Sequence, residues 1–267
     1  MTSQSKGYVN QFFGDVWCPG QCSFSDALSG VPIVVTAGSD VAGRDFTLRR
    51  GGSISGTITG LVAPGSATPV EGASVYAFAL LVDALAGSAG TITDIAGHYT
   101  ITGLPDGLYY LQVRAPTTNG LLGQYYGGTP CGEGCSFSLP IDGVSIAVVG
   151  GQPTTGRDIQ LARGGSIAGT VTASATLLPV PQVLVTASTV VNGQARNFNT
   201  FTDASGRYTI PALPPGNYSV STGDRTAFVN EVFPNVRCPA RCDALLARNQ
   251  TVPVLSLIHI SEPTRRS

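Results

Sequence analysis

The stretch GRDFTLRRGGSISGTITG at 43–60 returns as GRDIQLARGGSIAGTVTA at 156–173, so this chain is built by copying. Gly51 and Gly164 are 113 residues apart, and so are Cys18 and Cys131. A second pair, TDIAGHYTITGLPDGLYYLQV (93–113) and TDASGRYTIPALPPGNYSVST (202–222), is offset by 109, as from Asp94 to Asp203. The drift marks insertions or deletions in loops, where chains tolerate them. A third motif occurs three times: NQFFGDVWCPGQC (10–22), GQYYGGTPCGEGC (123–135) and NEVFPNVRCPARC (230–242). A period near 110 residues is too long for a solenoid unit and is the size of a domain with its own core. The expected division is the last part of one copy at 1–47, a complete copy at 48–160, and a copy at 161–254 that lacks its last strand, strung like beads.

Within the complete copy, the apolar residues alternate. In SISGTIT, Ile54, Gly56 and Ile58 share one face and Ser53, Ser55, Thr57 and Thr59 the other, as in a half-buried strand. Further strands are expected at 73–80, 90–94, 98–102, 108–113, 144–149 and 157–161. No segment has an apolar period of 3.6 with caps. The 34 glycines and 18 prolines suit many tight turns, and charged residues make up only 12%. The expected fold is all-β: tandem seven-stranded antiparallel β-sandwiches with no significant helix. Tyr99, Tyr109, Tyr208 and Tyr218 lie in phase with aliphatic neighbours and are assigned to the core. Net charge is −1 with no basic run, which argues against nucleic acid as a partner. No apolar stretch reaches the ~18 residues of a membrane span. The N-terminus has no signal-peptide pattern. Lys6 is the one lysine among 15 Lys and Arg, which points to GC-rich coding and a bacterial source.

The pattern G-G-S-I-x-G-T-[IV]-T followed by T-D-x-x-G-x-Y-T-I-x-x-L-P-x-G-x-Y resembles the carboxypeptidase regulatory-like domain. The resemblance implies a transthyretin-like, immunoglobulin-like sandwich, related to the B-type stalk repeats of bacterial surface adhesins. It implies an accessory or stalk module of a secreted or cell-surface protein. Adhesin relatives carry internal Lys–Asn or Lys–Asp crosslinks; the 48–160 copy contains no lysine, so that bond is excluded there. Starch-binding relatives use tryptophans, but Trp17 is replaced by Pro130 and Arg237 in the other copies.

The cysteines come as one CxxxC pair per copy: Cys18 and Cys22, Cys131 and Cys135, Cys238 and Cys242. Structural zinc wants four ligands brought together, and these pairs lie in separate copies, away from His98 and His259. A thioredoxin-like site wants CxxC at a helix start. The remaining reading is a local disulfide in each copy, worth about 2 kcal/mol of loop closure, in an extracellular or cell-surface setting. Reduced cysteines in a cytosolic protein are the alternative. Beside these loops lie the aromatic pairs Phe12–Phe13 and Tyr125–Tyr126, candidate contacts for an extracellular glycan or peptide. Plugging the end of the sandwich is the competing role, and the favoured one.

No catalytic constellation is apparent. A Ser–His–Asp or Cys–His site would need His98, whose counterpart is Arg207. HExxH and the phosphate-binding loop are missing. Asp94 and Asp203 precede turns, where Asp bonds the local backbone. Asp45 and Asp158 recur before the last strand, suited to a turn or an arginine partner. No metal or cofactor is expected. The segment LSLIHISEPTR (255–265) breaks the repeat and resembles a translated sequencing adapter, so 255–267 carries no weight in the fold and the chain reads as a fragment. The function expected is a non-catalytic spacer or adhesive array whose partners are neighbouring repeats and an extracellular glycan or protein. The alternative is a carbohydrate- or peptide-binding accessory module of a secreted hydrolase.

Overall fold

In the computed structural model, the described residues are 7–18, 30–63, 65–81, 84–116, 119–128, 130, 143–191, 194–223, 229–234, 236–238 and 251–254. They are β-strands and turns. Among its described residues, the N-terminal portion carries the hairpin of β1 (Asn10–Phe12) and β2 (Val16–Cys18), followed by extended, mostly exposed chain over 31–50.

Ten strands lie among the described residues of the second repeat. One sheet orders β10 (Ile146–Val148), β8 (Gly107–Arg114), β5 (Ser74–Leu81) and β6 (Ala84–Ile92), with β9 (Gln124–Tyr125) also on β8. The other is organised around β3 (Gly52–Ala63), which pairs with β4 (Ser66–Pro69), β7 (His98–Leu104), β11 (Pro153–Thr154) and β12 (Ile159–Leu161). Alternation along β3 sends Ile54 and Ile58 inward. They join Val75, Leu111, Val113, Ile159 and Leu161 in one buried cluster. The seven expected segments each overlap a strand, and β4, β9 and β11 are short additional ones. One expectation needs correcting: β11 and β12 run parallel to β3, with Ile159 opposite Ile58 and Leu161 opposite Gly60. A short periodic segment does not encode its direction, because a two-residue period looks the same in either ladder.

The third repeat repeats the plan with β13 (Gly165–Thr170) on β16 (Arg207–Leu213). Facing them is the sheet of β14 (Leu184–Val191), β15 (Gln194–Phe201), β17 (Gly216–Gly223), β18 (Glu231–Val232), β19 (Val236–Arg237) and β20 (Val252–Val254). Its own cluster contains Ile167, Val185, Ala187, Phe198, Ile210, Leu213 and Tyr218.

Local chemistry explains the repeated motifs. Asp94 Oδ1 accepts from the amides of Ala96 (2.9 Å) and His98 (2.8 Å), and Asp203 Oδ1 from Ser205 (2.8 Å) and Arg207 (2.9 Å). The turns close on Gly97 and Gly206, at φ +74° and +69°, a region that suits glycine. The hydroxyls of Tyr109 and Tyr218 donate to the carbonyls of Pro105 (2.9 Å) and Pro214 (2.6 Å), four residues back. Burial pushes both phenols up to about 12, and the charge of Asp106 adds to the shift at Tyr109. Tyr99 is buried too and its phenol lies far above the ordinary value, through burial and then through Asp158. Tyr208 is only half-buried.

Candidate functional site

The candidate positions converge on one end of each repeat, where the cysteine-containing stretch leaves and returns. Val31 N donates to Phe13 O (3.0 Å), and Val144 N to Tyr126 O (2.7 Å). Those bonds join the chain on either side of the first two cysteine-containing stretches at Phe13 and Tyr126. Tyr125 is buried, its hydroxyl accepting from Gln112 Nε2 at 3.3 Å. Tyr126 is half-buried against the core; Arg157 lies over its ring (5.9 Å) and donates to its hydroxyl (3.4 Å). The N-terminal copy repeats this contact with Arg44 over Phe13 (5.7 Å), and Phe46 meets Phe13 edge-on at 6.1 Å. Phe12 and Phe13 are half-buried. Phe13 and Tyr126, the second member of each pair, therefore pack beneath an arginine.

Cys22, Cys131, Cys135 and Cys242 lie outside the described residues, and Cys18 is seen only as backbone of β2. Cys238 is buried beside Val232 and is disulfide-bonded. Among the described residues there is no free cysteine and no cluster of three His, Cys, Asp or Glu able to hold a metal. His98 is exposed, with its Nδ1 3.1 Å from the Thr57 hydroxyl. Asp158 serves the backbone: its Oδ1 accepts from Thr57 N at 2.8 Å, pinning β12 to β3. That resolves the choice between a turn and an arginine partner in favour of neither. Among the described residues no helix is long and apolar enough to cross a membrane.

Sequence reasoning missed the junction between repeats. Leu122 N donates to Ala162 O (2.8 Å) and Gly164 N to Gly120 O (2.9 Å), with Leu121 bridging Arg163. One repeat earlier, Val9 N donates to Arg49 O (2.9 Å), Gly51 N to Gly7 O (2.9 Å), and Tyr8 bridges Arg50. Every residue in the first set is 113 positions after its counterpart. Val9 and Leu122 are buried, yet neither belongs to a repeat's own cluster. Gly164 makes the close approach: a Cβ there would come within 2.7 Å of Ala212 backbone and of Leu122 Cδ2. The available signal was the GG dipeptide at both linkers. The segments that clasp them, GYV and GLL, are too dissimilar to stand out.

Residues 166–240 match the carboxypeptidase regulatory-like domain. That span runs from β13 to beyond β19, and the second repeat carries the same residue pattern. No curated protein matches the chain. Among solved structures, the chain is similar to a streptococcal ancillary pilin: 13% identity, TM-score 0.34, covering 67% of this chain and 57% of that one. It is also similar to the minor pilin of Streptococcus agalactiae (14%, TM-score 0.31, 67% and 88%). A third is the shaft pilin of Lactobacillus rhamnosus GG (10%, TM-score 0.29, 68% and 88%). The chain thus spans little over half the length of the ancillary pilin.

Proposed function

We propose that the chain is a non-catalytic array of β-sandwich modules, a spacer or adhesive stalk of a bacterial secreted or cell-surface protein. Its units are the repeats at 1–47, 48–160 and 161–254, each with a local disulfide, Cys18–Cys22, Cys131–Cys135 and Cys238–Cys242. The observation that carries this reading is the clasp made twice at the same offset. A spacer is useful only if successive units keep a fixed orientation, and a flexible linker would leave the backbone groups of 49–51 and 162–164 to water. Here they are bonded and capped by a buried Val9 or Leu122. Asp94, Asp106, Asp158 and Asp203 each accept from backbone amides, which gives these carboxylates a structural role.

The test is a distance distribution between spin labels at Thr100→Cys and Asn197→Cys, one exposed strand position in each of the second and third repeats. A single narrow distance is expected, broadened by Leu122→Ala. A distribution as wide as a free linker allows would overturn the reading. Glycan binding by the 48–160 repeat that vanishes on Tyr126→Ala would favour an accessory module of a secreted hydrolase.

A further inference from the structure

The second and third repeats build one sheet in one register but surface it differently. In the second, β5, β6 and β8 turn Val75, Ala77, Ala89 and Leu111 inward, so the residues between them face out. Tyr76 stands between Gly90 and Gln112, and Phe78 between Ser88 and Tyr110. In the third, Thr186 stands between Asn199 and Ser221, and Ser188 between Asn197 and Ser219. The registers correspond, with Ala77 and Ala187 the buried residues at the centre of each. Tyr76, Phe78 and Tyr110 thus have Thr186, Ser188 and Ser219 as counterparts. The third repeat forms its sheet without those rings, so the needs of the fold do not account for them.

The rings are laid out as a surface. Tyr76 and Phe78 lie 6.2 Å apart, tilted by 33°. A Cβ on Gly90 would fall 2.8 Å from Tyr76 Cδ1, so the missing side chain lets the ring lie across the neighbouring strand. Asn199, in that place, accepts from Thr186 Oγ1 at 2.8 Å. Tyr76, Phe78 and Tyr110 are half-buried. The hydroxyls of Tyr99, Tyr109 and Tyr218 donate to carbonyls, whereas those of Tyr76 and Tyr110 have no partner among the described residues. Arg114 is exposed; it lies over the Tyr76 ring at 5.6 Å and donates from Nε to Gln112 Oε1 at 3.3 Å. It is the one charged residue of β5, β6 and β8, so these strands carry a positive charge and no acid. We propose that the outward face of β5, β6 and β8 binds an acidic glycan, with sugar rings on Tyr76 and Tyr110 and a carboxylate on Arg114. Aromatic rings offer a flat apolar contact with a polar tip left in water, as a sugar ring requires. A guanidinium receives a carboxylate through parallel hydrogen bonds. A peptide fits less well, because the backbone groups of a sheet face are spent in its ladders and sheets capture peptides along their edges. The proposal goes beyond the spacer reading, which concerns the junctions, and makes no use of Tyr126.

The test uses the full chain and biolayer interferometry on polygalacturonate, hyaluronate and polysialate, each beside its carboxyl-reduced form. At least one acidic polymer is expected to bind, about tenfold or more tightly than its reduced form. Tyr76→Thr/Tyr110→Ser installs the residues that the third repeat carries in the same register. It is expected to weaken binding of both forms about tenfold or more. Arg114→Gln is expected to bring the acidic form down to the level of the reduced one and to remove the salt dependence. Circular dichroism and urea unfolding of each variant separate these outcomes from loss of fold. The spin-label distance between the second and third repeats should be the same in all of them, which keeps this result apart from that of the spacer. No binding to any of the three polymers, equal binding of acidic and reduced forms, binding that either variant leaves unchanged, or displacement by poly-glutamate as readily as by the polysaccharide would each overturn the proposal.

Discussion

Replacing Tyr109 by Phe removes one oxygen and leaves the ring in place, which isolates the bond that recurs at Tyr218. The hydroxyl is buried and donates at 2.9 Å to Pro105 O. Such a bond has a net worth of ~1 kcal/mol, and leaving a partly buried carbonyl unpaired adds desolvation, so about 1–2 kcal/mol is expected. For a unit of this size that lowers Tm by very roughly 4–12 °C. The phenol is also pushed up to about 12, mainly by burial and further by Asp106. Unfolding returns it to the ordinary ~10. Above pH 10 the unfolded chain therefore loses a proton that the folded chain keeps. The stability held below pH 10 drains away as pH rises toward 12, by on the order of 2 kcal/mol. The Phe variant has nothing to lose there, so the gap between wild type and variant should close over that window. Urea titrations of residues 48–161 at pH 8, 10 and 11.5 check this, with m unchanged. A variant as stable as wild type at pH 8, or a gap that widens with pH, would refute the assignment.

Other outcomes are as specific. Gly97→Ala places a Cβ 2.4 Å from Ile58 O at positive φ and should cost upwards of about 2 kcal/mol, as should Gly206→Ala. Asp94→Ala frees two amides and should cost about 1–2 kcal/mol by chemical denaturation, with Asp203→Ala alike. Thr93→Val should cost about 2 kcal/mol, because Thr93 Oγ1 donates to Val70 O (2.6 Å) and accepts from Ala73 N (2.9 Å) while buried. Thiol titration of native-source protein should find no free thiol before reduction and six after; six before reduction would remove the disulfides from the account.

What could be read from sequence was what rests on local periodicity. Ile54, Ile58, Leu111 and Val113 point inward because a strand alternates, and TDxxG closes a turn because Asp and Gly supply an acceptor and a positive φ. What rests on distant partners was not legible. The parallel direction of β12 depends on β3, about a hundred residues away. Asp106, which accepts from Gly150 N (2.9 Å) and Gly151 N (3.1 Å), has Pro215 as its counterpart and gave no repeat signal. Thr93 and Thr202 stand inside the recognised TD motif, but nothing in alternation reveals that their hydroxyls hold both ends of the turns at 70–73 and 180–183. The aromatic pairs stand where the described chain meets the cysteine-containing stretches. That Arg157 covers Tyr126 follows only once the last strand is placed.

The array is built from single repeats only if one repeat is a complete folding unit. Residues 48–161 expressed alone should give a dispersed amide proton spectrum with β chemical shifts. The slowest-exchanging amides should lie on β3, β5, β7 and β8, and unfolding should occur in a single transition. A collapsed spectrum, or helical shifts across these strands, would contradict it.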